Sequence, residues 1–272
     1  MRLARLVVLP AIPAASFLLA SASKVPAADT ENIRVRFEIF GLAGLHVLTN
    51  RTTIEKAADR YSIAMDLDTR GLARVFVDLT SHSEVRGRLA RDAARPDAYR
   101  VEVLRNGVDH SYGVDYRTDG TVINAPTPPS PGRASTIPEA QIRGTVDQLT
   151  ANFLLERQLA QRGTCALVVP VFDGSALYNV RFTDIEPEVL AADGNQNFAG
   201  PTQPCQVVRE EILRNPGQGE DTYQQGKVWY APLASGDLML PVRMEFETAF
   251  GTVRGYLAEL RGHGVHLHLM RE

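Results

Sequence analysis

The sequence predicts a mainly β protein, with one large, strongly curved antiparallel sheet or open barrel and a single inserted α-helix. Three observations lead there. Apolar and polar residues alternate with period two through most of the chain, as in strands with one buried face. Turn-forming pairs recur at short intervals between these runs. One long segment replaces the alternation with helical spacing.

The elements follow in order. "RVRFEIF" puts Val35, Phe37 and Ile39 on one side and Arg34, Arg36 and Glu38 on the other. "YSIAMDLDTR" repeats the pattern with Tyr61, Ile63, Met65 and Leu67. "YRVEVLRNGVDHSYGVDYRTDG" contains Asn106-Gly107, a pair suited to a two-residue hairpin, and a second turn at Asp119-Gly120. Residues 125–138, "APTPPSPGRASTIP", predict a solvated, extended loop. "GTVDQLTANFLLERQLAQRG" predicts a helix over about 145–162. Thr145 and Gln148 have capping-box spacing, Gly163 fits a C-terminal stop, and Leu149, Phe153 and Leu159 form an apolar stripe widened by Leu155.

Further strands are expected at "CALVVPVF", "ALYNVRFTDI", "CQVVREEIL", "KVWYAP", "PVRMEFETAF" and "GTVRGYLAELRG". Tyr61, Phe76, Tyr99, Phe172, Tyr178, Trp229, Phe246 and Tyr256 fall on predicted strands. Cutting the chain at the Pro-rich loop would leave an N-terminal piece with exposed strand edges. A single β-rich domain over 29–272 is therefore expected.

The first 28 residues read as a secretory signal peptide. Arg2 and Arg5 precede an apolar stretch, Leu6 to Ala22, and small residues follow it. Pro10 and Pro13 interrupt that stretch, which argues against a spanning helix. The expected product is soluble, exported and periplasmic, with no transmembrane segment after cleavage. Loss of Arg2, Arg5 and Lys24 leaves 26 basic residues of 29 against 32 acidic ones, so the formal charge falls from −3 to about −6. No basic block of the kind that tracks phosphates remains, which argues against nucleic acid.

The two cysteines, Cys165 and Cys205, are 40 residues apart. In an oxidising compartment such a pair predicts a disulfide, which would restrict the unfolded chain by about 4 kcal/mol. A CxxC redox pair is absent, a zinc site would need two more ligands, and a nucleophilic thiol would need a base nearby. His266 and His268 share one side of a strand, with His263 beyond a Gly264 turn, but no Cys, Asp or Glu accompanies them in "HGVHLHL". A solvated strand face is the simpler reading, and no metal or cofactor is expected. No G-x-S-x-G is present, and Ser175 in "DGSAL" belongs to an Asp173-Gly174 hairpin turn. A hydrolase would have to bring His82 or His110 to a carboxylate through the fold.

The order of Cys165, Asp173-Gly174, Tyr178, Gly200-Pro201 and Cys205, with the preceding helix and the later "LPVRMEF", resembles a bacterial family of exported envelope proteins. It is the one catalogued as domain of unknown function 3108, and the resemblance runs from about Ile33 to Leu260. It implies a β-rich envelope protein with a Cys165–Cys205 disulfide, and a likeness of fold to the open, curved sheet of periplasmic lipoprotein carriers. It supplies no catalytic residues. The expected function is non-enzymatic: a curved sheet whose apolar face holds a lipid, an acylated protein or an apolar segment of an envelope partner. Val35, Phe37, Ile39, Ile63, Met65 and Leu67 are the candidate binding residues. The alternative is a structural or scaffolding protein for envelope integrity with a filled core. An uncharacterised hydrolase is the third reading.

Overall fold

Seven strands form an N-terminal meander, each paired antiparallel with the next: β1 (Glu31–Phe40), β2 (His46–Lys56), β3 (Arg60–Thr69), β4 (Leu79–Ala90), β5 (Ala93–Arg105), β6 (Val108–Tyr116) and β7 (Val122–Asn124). A one-turn helix, α1 (Ala73–Phe76), lies between β3 and β4. After a second short helix, α2 (Glu139–Ile142), comes the long helix α3 (Gln148–Arg162). Eight further described strands follow: β8 (Leu167–Phe172), β9 (Ala176–Asp184), β10 (Glu188–Leu190), β11 (Gly200–Arg214), β12 (Tyr223–Ala231), β13 (Leu240–Thr248), β14 (Gly251–Gly262) and β15 (Val265–His268).

The structure is a computed structural model that describes residues 31–41, 44–90, 93–124, 137–192, 198–215, 223–233, 238–248 and 251–270. Residues 1–30, which include the expected leader, and residues 125–136 of the Pro-rich loop lie outside the described residues.

All fifteen described strands belong to one sheet, with β14 returning to pair with β1, so that β1 sits in the middle. The sheet order runs from β7 to β8, and these two edge strands are not bonded to each other. The sheet is open. Its turns use the residues the sequence offers: Asn106 and Gly107 both have positive φ, the geometry that matches strand twist in a two-residue hairpin.

Helix α3 explains the curvature. Its Leu149 and Phe153 pack with the core of the N-terminal meander, where the Phe153 ring stacks on Tyr61 of β3 at 5.1 Å. Its Ala151, Leu155 and Leu159 pack instead with β8, β9, β11 and β12. A sheet whose two ends touch one helix must wrap around it. The expected single apolar stripe is thus two buried faces, and few positions, among them Asn152 and Ala160–Arg162, remain exposed.

The helix begins later than the capping-box spacing predicts. Asp147 is its N-cap, accepting from the Thr150 amide at 2.9 Å, whereas Thr145 Oγ1 donates to the Ile142 carbonyl. The reason is tertiary. Val146 makes a parallel bridge to β8, donating to the Pro170 carbonyl and accepting from the Phe172 amide, so the backbone stays extended until Asp147. Gly163, at φ 66°, ends the helix as its sequence position suggests. Phe76 also departs from expectation: it lies in α1, not on a strand.

Cys165 and Cys205 are joined as a disulfide. The bridge spans β9, linking Cys165, two residues before β8, to β11. Asp184, at the end of β9, holds the same corner by accepting from the Cys165 amide and the Thr164 hydroxyl, both at 2.6 Å.

Candidate binding face

The register of β1 to β6 resolves the inner face of the meander into three rows of six residues. The first is Ile33, Ile54, Ile63, Val85, Tyr99 and Val114. The second is Val35, Thr52, Met65, Ser83, Val101 and Tyr112. The third is Phe37, Asn50, Leu67, Ser81, Val103 and His110. None of these positions carries Asp, Glu, Lys or Arg. The outer face alternates with them and is heavily charged, with Arg36, Arg51, Asp66, His82 and Glu102 in one row.

Burial falls along the rows. Every residue of the first row is buried, in the same core as Phe153 of α3. In the second row Thr52, Met65 and Tyr112 are half-buried; in the third Asn50, Leu67, Val103 and His110 are. Ile39 and Leu48 continue the trend. The six candidate residues share the inner face, as their alternation predicts, but divide by depth. Val35, Phe37 and Ile63 belong to the core, and Ile39, Met65 and Leu67 lie where the cover thins.

Beyond the third row, the tips of three hairpins meet at one rim. The Arg70 amide donates to the Val47 carbonyl, and Asp78 and Asn106 exchange hydrogen bonds at 2.8 and 2.9 Å. This rim exposes Leu72 (67 %), Val75 (79 %) and Phe76 (81 %), with Leu45, Leu104 and Val108 also exposed. Such a group is more apolar than scattered surface residues usually are. Sequence alternation did not locate it because the loop residues Leu72–Val77 are uniformly apolar apart from Arg74.

Polar groups under α3 serve the fold. The Tyr61 hydroxyl meets Thr150 Oγ1 at 2.8 Å, and that oxygen donates to Asp147 Oδ2 at 2.7 Å. Burial pushes the Asp147 carboxyl up to about 6, against the lowering effect of its Thr150 hydrogen bonds. Burial alone raises Glu156 to about 8, and its Oε2 has no hydrogen-bond partner among the described residues.

The remaining candidates lie apart. His82 Nδ1 is 2.7 Å from Asp66 Oδ1, but both are exposed on the outer face. His110 is on the inner face, across from Val103. His266 Nε2 is 3.4 Å from Glu259, and no group of three or more His, Cys, Asp or Glu with metal-site spacing occurs among the described residues. Ser175 sits in its predicted turn, where Asp173 Oδ1 accepts from its amide and hydroxyl at 2.8 Å.

No described helix is long and apolar enough to cross a membrane. The family model described as "Protein of unknown function (DUF3108)" matches residues 34–258. Among solved structures, the chain is similar to a crystal structure of a beta-barrel-like protein of domain of unknown function DUF1849 from Brucella abortus. The TM-score is 0.51 at 12% identity, over 86% of this chain and 99% of that one. At that identity the likeness concerns the fold alone. Comparison with curated proteins gives no match.

Proposed function

We propose that this chain, which belongs to the DUF3108 family, is a non-enzymatic binding protein of the cell envelope. It holds a lipid, an acylated protein or an apolar partner segment on the inner face of its open sheet. One observation carries this reading: three rows of the meander's inner face contain no charged residue, and their cover thins toward a rim of exposed apolar side chains. Leaving Met65, Leu67 and Ile39 half-exposed sacrifices burial worth roughly 25 cal/mol per Å² of apolar surface, which a ligand recovers. The leader-like N-terminus and the paired cysteines support export to an oxidising periplasm.

The test is Met65→Asp in the mature protein, read by titration with a fluorescent acyl probe and by thermal melting. A folded variant that binds about tenfold or more weakly supports the inner face, because a charge there must be desolvated by the chain. A folded variant with unchanged binding removes Met65 from the site.

A second reading has its own support. The half of the interior around α3 is filled, with Leu155, Tyr178, Phe182 and Leu257 fully buried. A scaffolding protein for envelope integrity needs no more than that. Loss of folding in Met65→Asp, together with no acyl binding by the parent protein, would favour it.

A further inference from the structure

The gap where the sheet fails to close contains a groove of about 500 Å³. Its walls are the edge of β8, the β5 and β6–β7 strands opposite, and the crossing segment Gly144–Val146. That volume falls in the usual range of small-molecule sites, roughly 300–1,000 Å³. The floor is apolar, with Ala94, Val122 and Val169 buried and Leu154 and Leu167 half-buried.

The groove lining holds three arginines, Arg88, Arg95 and Arg117, and no carboxylate. This is unexpected in a chain with more acidic than basic residues. Arg88 is already held by Asp97 at 2.9 Å. Arg117 shares the field of Asp119 with Arg143, while Thr121 hydrogen-bonds that carboxylate. Arg95 is exposed and has no acidic partner among the described residues. Tyr116 also lines the groove, and its buried hydroxyl has no hydrogen-bond partner among the described residues.

We propose that this seam groove binds an amphiphile with one acyl chain and an anionic head. The chain lies against Leu154, Leu167 and Val169, and the head meets Arg95 and Arg117 at the mouth. An apolar floor alone would accept any hydrocarbon; the cations select for a carboxylate or phosphate end. A peptide added to the β8 edge is disfavoured. Val146 already occupies the Pro170 carbonyl and the Phe172 amide, Pro170 has no N–H, and only Leu167–Val169 remain for pairing. The groove lies at the open edge of the sheet and shares no lining residue with the three inner-face rows, so the two sites can be tested separately.

The experiment titrates the mature protein with a long-chain fatty acid carrying a diazirine in its tail. The matching methyl ester and a single-chain phosphate lipid are run in parallel. The acid or the phosphate lipid is expected to bind at one per chain and to label peptides containing Leu154 or Leu167–Pro170. Which of the two binds more tightly identifies the head group. The methyl ester, and the acid with Arg95→Gln/Arg117→Gln, should each bind about tenfold or more weakly. Both arginines are exposed, so an unchanged melting temperature is expected for that variant. Absence of binding, equal binding of acid and ester, full affinity in the double variant, or labelling confined to Met65 and Leu67 peptides would each overturn the proposal. The last outcome would leave the inner-face reading standing, and seam labelling with undiminished binding to Met65→Asp would do the reverse.

Discussion

Glu156 is held inside the protein without a partner for Oε2 among the described residues, and burial raises its carboxyl from 4.5 to about 8. Between these values the folded chain keeps a proton that the unfolded chain has released. The unfolded state therefore binds fewer protons in that window, and the stability this group allows falls as pH rises from about 4.5 to 8. Glu156→Gln, which mimics the protonated form, should leave the melting point nearly unchanged at pH 5. At pH 9 it should stabilise the protein by on the order of 5 kcal/mol. Denaturant melts at the two pH values check this.

Asp147 has the same direction of shift, to about 6, but it also caps α3 and receives the Thr150 hydroxyl. Asp147→Ala should cost about 1–3 kcal/mol by urea melting, since it removes a cap and strands a buried hydroxyl network. Neither role was legible in the sequence. Asp147 falls inside a segment that reads as continuous helix, and Glu156 looks like any surface residue of one. Their burial comes from strands far away in sequence.

At the scale of elements, legibility followed locality. The strands carrying Val35–Ile39 and Ile63–Leu67, and the turns at Asn106-Gly107 and Asp173-Gly174, are set by alternation and by residues within the turn. What escaped was set by distant partners. The bridge of Val146 to β8 delays the start of α3, and hydrogen bonds between hairpin tips frame the short helix α1 that carries the exposed Phe76. Helix α3 itself is a clear local signal, but its sequence does not say that it is enclosed on two sides. Phe153 bridges that enclosure through its stack on Tyr61, so Phe153→Ala should destabilise by about 3–5 kcal/mol in equilibrium unfolding. The disulfide anchors the opposite flank of the helix. Replacing Cys165 and Cys205 together with alanine should cost about 2–4 kcal/mol, read as a shift of the urea midpoint.

At the scale of the molecule, the two proposed sites rest on two features outside the packed core. The sheet stays open between β7 and β8, and its inner face loses cover away from α3. The alternation in the sequence identified which side chains share that inner face. It did not order them by depth, because depth depends on where the helix lies. Nor did it indicate the seam, whose walls come from segments as far apart as Arg88 and Pro170.

The most direct measurement is native mass spectrometry of the mature protein, purified from the periplasm without detergent. A bound amphiphile mass is expected, lost on unfolding or taken up from added fatty acid or phospholipid, on a chain two hydrogens lighter than its reduced form. A bare protein that takes up none of the added lipids would overturn the proposed ligand binding.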